Sequence, residues 1–66
     1  MSLFSERIKT KRIQKKLTQQ QVANELGISR VTYTNYEKDR REPSIEILNK
    51  LANLYETSID YLTGRY

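Results

Sequence analysis

One glycine constrains the architecture of this chain more than any other residue. Gly27 lies between two short segments, each opened by a helix-capping residue and each carrying apolar side chains at helical spacing. Thr18-Gln19-Gln20-Gln21 has the spacing of a capping box: the Thr hydroxyl reaches the third amide, and the Gln three residues on reaches back. Val22, Ala23 and Leu26 follow on one face. Gly27 then stops that helix in the left-handed conformation that glycine adopts cheaply. Ser29 caps the next helix, which starts at Arg30 and sets Tyr33 and Tyr36 at helical spacing. The spacing thus predicts a helix over 19–26, a sharp turn, and a second helix crossing the first. Ala23, four residues before the glycine, sits where a larger side chain would crowd that crossing.

The flanking segments are helical too. Phe4, Ile8 and Arg12 recur every four residues and place one stripe on a first helix over about 2–16, a stripe that Ile13 does not join. Pro43 disfavours helix at the residue before it, which closes the third helix over Asp39-Arg40-Arg41-Glu42. Ser44 caps a fourth helix whose expected buried residues are Ile45, Leu48, Leu51, Ala52 and Tyr55, with Glu46 in the first turn to suit the helix dipole. Ser58 caps a short last helix bearing Ile59 and Leu62, and Gly64 ends it. Strand signals are absent. The expected fold is all-α, with five helices in a single domain over residues 1–66.

Composition narrows the chemistry. The 66 residues contain no Cys, no His and no Trp. The common zinc, iron–sulfur, haem and thiol sites therefore lack ligands, and the usual general base near neutral pH is missing. No carboxylate pair reads as catalytic, so an enzyme is not expected, nor a cofactor, a metal or a small-molecule ligand. No apolar run is long enough to span a bilayer, and Met1-Ser2-Leu3-Phe4-Ser5-Glu6-Arg7 has no secretory h-region. The absence of Cys suits a cytoplasmic protein.

The formal charge is +4, distributed unevenly. Arg7, Lys9, Lys11, Arg12, Lys15 and Lys16 against Glu6 make residues 1–17 strongly basic. Residues 18–41 are close to neutral, and Lys50 and Arg65 against Glu42, Glu46, Glu56 and Asp60 leave the C-terminal segment acidic. A basic front and an acidic back fit a protein that turns one surface toward a polyanion. A solvated helix face explains the same charges, and charge alone does not separate the two.

Residues 19–38 resemble the helix-turn-helix of the phage repressor and Cro family, also called the Xre family: Ala23, Gly27 and the apolar Val22, Leu26, Ile28, Tyr33 and Tyr36 fall at its positions. The resemblance extends through Arg7-Ile8-Lys9-Thr10-Lys11-Arg12, Leu17-Thr18-Gln19, Tyr36-Glu37-Lys38-Asp39-Arg40-Arg41-Glu42-Pro43-Ser44 and Ser58-Ile59-Asp60-Tyr61-Leu62, so that it covers residues 3–64. Asp39 and Glu56 depart from the pattern, standing where the family usually or often has Gly after its third and fourth helices. The resemblance implies a five-helix, lambda-repressor-like fold and a sequence-specific, double-stranded-DNA-binding transcriptional regulator. Such a protein, a repressor by expectation, would act as a homodimer on a near-palindromic operator. Two alternatives remain: an antitoxin-type protein-interaction module that also autoregulates, or the DNA-binding half of a longer regulator.

At 100° per residue, with Tyr33 facing inward, Val31, Asn35 and Lys38 fall on the opposite side of the third helix and Thr34 on a flank. The expected base-reading residues are Arg30, Val31, Thr34 and Asn35, because the N-terminal part of a recognition helix approaches base edges. Arg30 suits guanine or a phosphate equally, Asn35 suits adenine, and Val31 and the Thr34 methyl suit a thymine methyl. Core packing is the competing role for Val31. Gln19, Thr32, Lys38, Arg40 and Arg41 are candidates for phosphate or mixed contacts, with Gln19 matching a residue that the family uses in this way. Arg12 and Glu37 are opposite charges on apolar stripes, and a partly buried salt bridge between the first and third helices is expected, as the resemblance also implies. Tyr61, Leu62 and Tyr66 offer apolar area for a dimer contact, with core packing the competing role for Leu62.

Overall fold

The computed structural model describes residues 3–65. Five helices follow one another: α1 (Leu3–Gln14), α2 (Gln19–Leu26), α3 (Arg30–Glu37), α4 (Ile45–Leu54) and α5 (Ile59–Thr63). No strand occurs among the described residues. Helix α1 packs on α3 and α5, α2 on α3 and α4, and α4 on α5. Together they enclose one core of Ile8, Val22, Ala23, Leu26, Tyr33, Tyr36, Leu51, Ala52, Tyr55 and Leu62. Ala23 is fully buried at the α2–α3 crossing, where its small side chain allows the close approach.

Each of the last four helices starts as its sequence dictates. Thr18, Ser29, Ser44 and Ser58 all have extended backbone and accept a hydrogen bond from the amide three residues on. Thr18 completes the capping box, since its own amide donates to Gln21 Oε1 at 2.8 Å. Each such cap contributes about 1 kcal/mol.

The helix ends share a device that only two glycines announce. Lys16, Gly27, Asp39, Glu56 and Gly64 all have left-handed backbone, and in each case the amide after them returns to the carbonyl five residues back. These bonds are Leu17 N–Arg12 O, Ile28 N–Ala23 O, Arg40 N–Asn35 O, Thr57 N–Ala52 O and Arg65 N–Asp60 O, at 2.8–3.1 Å. The two departures at Asp39 and Glu56 are therefore side chains held in a conformation that favours glycine. Lys16 is a third case, and it corrects the expected first helix. Helix α1 ends at Gln14 rather than near residue 16, because the left-handed turn swings Leu17 back against the core. The expected start at residue 2 lies outside the described residues. Replacing Lys16, which is exposed and at φ 58°, by Gly relieves this strain at the cost of a freer unfolded chain. Lys16→Gly is expected to raise stability by about 0.5 kcal/mol, visible as a small increase in Tm; a decrease would contradict the strain argument.

Two expected core residues of α4 lie outside the core: Leu48 is only half-buried, and Ile45 is on the surface. Ile45 is 69% exposed, since it opens α4 and its side chain leans back past the helix end, where no preceding turn supports it. Ile47, Leu54, Phe4 and Leu17 are half-buried and pack around the core instead. Ile13, off the stripe of α1, is exposed, while Ser5 is fully buried on that helix.

Candidate nucleic-acid interface

The interface is built on a buried polar cluster beneath α2 and α3. The Glu37 side chain is only 3% exposed and receives the Arg12 guanidinium, with Nε–Oε2 at 2.7 Å and Nη2–Oε1 at 3.3 Å. Arg12 Nη1 also donates to the Leu17 carbonyl at 3.0 Å, fixing the turn between α1 and α2. Gln19 Nε2 donates to Glu37 Oε1 at 3.1 Å, and Thr34 Oγ1 donates to Gln19 Oε1 at 3.1 Å. Behind them the Tyr33 and Tyr55 hydroxyls share a buried hydrogen bond of 2.8 Å, linking α3 to the end of α4. Every member is satisfied: no buried side-chain nitrogen or oxygen among the described residues lacks a partner. Tyr33 also meets the edge of the Tyr36 ring at nearly a right angle, with centroids 6.4 Å apart.

Charge within this cluster is set by its bonds. Burial works against an ionised Glu37, but hydrogen bonds from Arg12, Tyr33 and Gln19 outweigh it and hold the carboxyl below its ordinary range. The bond to Glu37 likewise raises the guanidinium of Arg12 above its ordinary value, against a smaller desolvation effect. Burial pushes the Tyr55 phenol up to about 12 and the Tyr33 phenol well above the normal range, so both stay neutral donors.

A carboxylate depressed in the folded state stabilises the fold fully above its unfolded pKa, and the contribution disappears as pH falls through the folded value. The thermal stability of this protein should therefore fall as pH drops below about 4.3, where a free Glu titrates. A Glu37→Gln variant, less stable at neutral pH, should show a shallower acid dependence. Parallel acid profiles for the two proteins would show that Glu37 does not carry this term.

The cluster fixes how α3 faces outward. Val31 is 64% exposed, and Arg30 is exposed beside it. Thr34 and Asn35 are half-buried one turn further on, so the four residues form a short outward face at the N-terminal part of α3. Thr32 lies nearer the cap, where its hydroxyl is 2.9 Å from Ser29 Oγ. Lys38, Arg40 and Arg41 are exposed in the turn after α3, and Arg41 lines a cleft with Ser29, Thr32 and Ser44, between the N-terminal ends of α3 and α4. Gln19, expected only as an exposed contact, is half-buried with both ends of its amide engaged. Its spacing to Glu37 in sequence gave no sign of that link.

The proposed dimer residues fare differently. Leu62 is fully buried in the core against its neighbours on α1 and α4, so it cannot meet a second subunit; this corrects its assignment to a contact surface. Tyr61 is half-buried, with the Arg7 guanidinium 4.3 Å from its ring centre and the Lys11 ammonium 5.3 Å away. Arg7 also donates to the Tyr61 carbonyl, which docks α5 on α1. Tyr66 lies outside the described residues.

Comparison with known proteins places this arrangement in a family. A helix-turn-helix family model matches residues 8–62. The chain is 50% identical over 60 residues to the uncharacterized HTH-type transcriptional regulator YqaE of Bacillus subtilis, covering 91% of this chain and 52% of that protein. It is 39% identical over 62 residues to the cryptic phage CTXphi transcriptional repressor RstR of Vibrio cholerae, covering 94% of this chain and 56% of that one. Among solved structures it is similar to the P22 c2 repressor in complex with a synthetic operator, at a TM-score of 0.88 and 32% identity, over 94% of each chain. The five helices are those of the lambda-repressor-like fold. The chain belongs to the Xre family of phage-repressor-like helix-turn-helix DNA-binding proteins. It spans about half the length of the curated relatives it matches, which are a transcriptional regulator and a transcriptional repressor.

Proposed function

We propose that this chain is the DNA-reading domain of a cytoplasmic, sequence-specific repressor that binds a near-palindromic operator as a homodimer, with α3 in the major groove. The observation that carries this reading is the outward face of Arg30, Val31, Thr34 and Asn35, held rigid from behind by the Arg12–Glu37–Gln19 cluster. A valine serving the core would be buried; Val31 is exposed instead, which suits a thymine methyl. Asn35 suits adenine, and Arg30 a guanine or a phosphate. Gln19 at the start of α2, with Thr32, Lys38, Arg40 and Arg41, would hold the phosphates on either side. The solved P22 repressor complex, similar over nearly the whole chain, supports DNA as the ligand.

One subunit of this size covers one half-site, so two subunits would set half-sites about 34–36 Å apart. Tyr61 on α5 is the described residue left as a candidate for their contact, beside Tyr66. The test is a binding series on a selected operator and on copies with the half-sites moved apart. Inserting about five base pairs, half a helical turn, is expected to reduce binding to that of a single half-site, and inserting a full turn to restore part of it. Equal binding to all spacings would overturn the dimer.

A further inference from the structure

Donor and acceptor logic runs in one direction through the cluster under α3. Glu37 is paired with Arg12 and only accepts hydrogen bonds. The end of the Gln19 amide that faces it, at 3.1 Å, must then be the nitrogen. This turns the amide oxygen toward Thr34 Oγ1, at 3.1 Å, and an amide oxygen has no proton to give. The single hydroxyl proton of Thr34 is thus directed inward.

We infer that Glu37, acting through Gln19, sets the base preference of Thr34, which presents a methyl group and hydroxyl lone pairs to DNA but no proton. The inference rests on α3 being the reading helix. The base that faces Thr34 on one strand can satisfy it as a thymine, through its methyl, or as a cytosine or adenine, through its amino group. The guanine edge offers two acceptors, O6 and N7, and finds no donor there. Gln19 and Glu37 are positioning residues in this scheme: their effect on specificity passes through a third side chain. A helix packed without this link would leave the Thr34 hydroxyl free to donate, and guanine would be admitted.

Selection of bound sequences from randomised duplexes, with the full chain, tests this. Thr34→Ala locates the base pair by relaxing the preference there. Gln19→Leu, which cannot accept the Thr34 proton, should admit guanine on the strand that faces Thr34 at least about fivefold more often than the parent, the low end of one base contact. The double variant Gln19→Leu/Thr34→Val should lose the gain, because the released hydroxyl is its source. Gln19→Ala serves if Gln19→Leu fails to fold by circular dichroism. A merely structural role for Gln19 would weaken all sites together and leave the base profile unchanged. An unchanged profile in the single variant, or a guanine gain that persists in the double, overturns the inference while leaving the repressor reading intact. A parent chain that enriches no site overturns both.

Discussion

Replacing Arg12 by Met is expected to lower the stability of this protein by about 3 kcal/mol, on the order of 15 °C in Tm for a chain of this size. The reason lies less in the lost attraction than in what remains. Glu37 is 3% exposed and ionised, and without the guanidinium it is left with neutral partners such as Gln19 and Tyr33. Removing one member of a buried pair leaves a charge that neither water nor protein compensates. The Leu17 carbonyl loses its donor as well. The companion experiment is the double replacement Arg12→Met/Glu37→Leu, which removes both charges and should recover much of the loss. Chemical denaturation of the four proteins in the cycle yields the coupling directly. A single variant as stable as the parent would mean that the pair is solvated in solution and does not hold α1 to α3.

Replacing Asn35 by Ala is expected to weaken binding to a preferred site by about 1–3 kcal/mol, or roughly 5- to 150-fold, and to relax specificity at one base pair. Binding to random duplex should change little, because Asn35 carries no charge and non-specific binding is dominated by phosphate contacts. Replacing Lys38 or Arg40 should do the reverse. Such variants are expected to weaken all sequences alike and to reduce the salt slope by about one. The contrast separates residues that read from residues that hold. If Asn35→Ala left the preference intact at every base pair, the assignment of the outward face of α3 would be wrong.

The helix starts and two of the helix ends are written in the sequence as local chemistry. Thr18, Ser29, Ser44 and Ser58 cap the helices because a hydroxyl can satisfy an amide that a helix leaves open, and Gly27 and Gly64 end them because they turn left-handed without strain. Lys16 does the same work with no such signature: a lysine in a left-handed turn is chosen by the burial of Leu17 after it, which is a tertiary matter. Ile45 and Leu62 show the opposite limit. Both are apolar and both lie at helical spacing, and periodicity cannot tell which one a neighbouring helix will cover. Within the site, opposite charges at Arg12 and Glu37 on apolar stripes mark a place where partners are needed. The third partner, Gln19, is polar on a surface helix start and looks solvated until α2 and α3 are set side by side.

The central claim is that the uncharged face of α3 chooses a sequence while the surrounding cations hold the backbone. Its most direct test is a salt titration of the full chain on the DNA upstream of its own gene, beside random duplex of equal length. The account predicts a steep loss of affinity with salt on both, together with a preference for one upstream site of about a thousandfold or more at physiological salt. Equal affinity for the two duplexes at every salt concentration would contradict it.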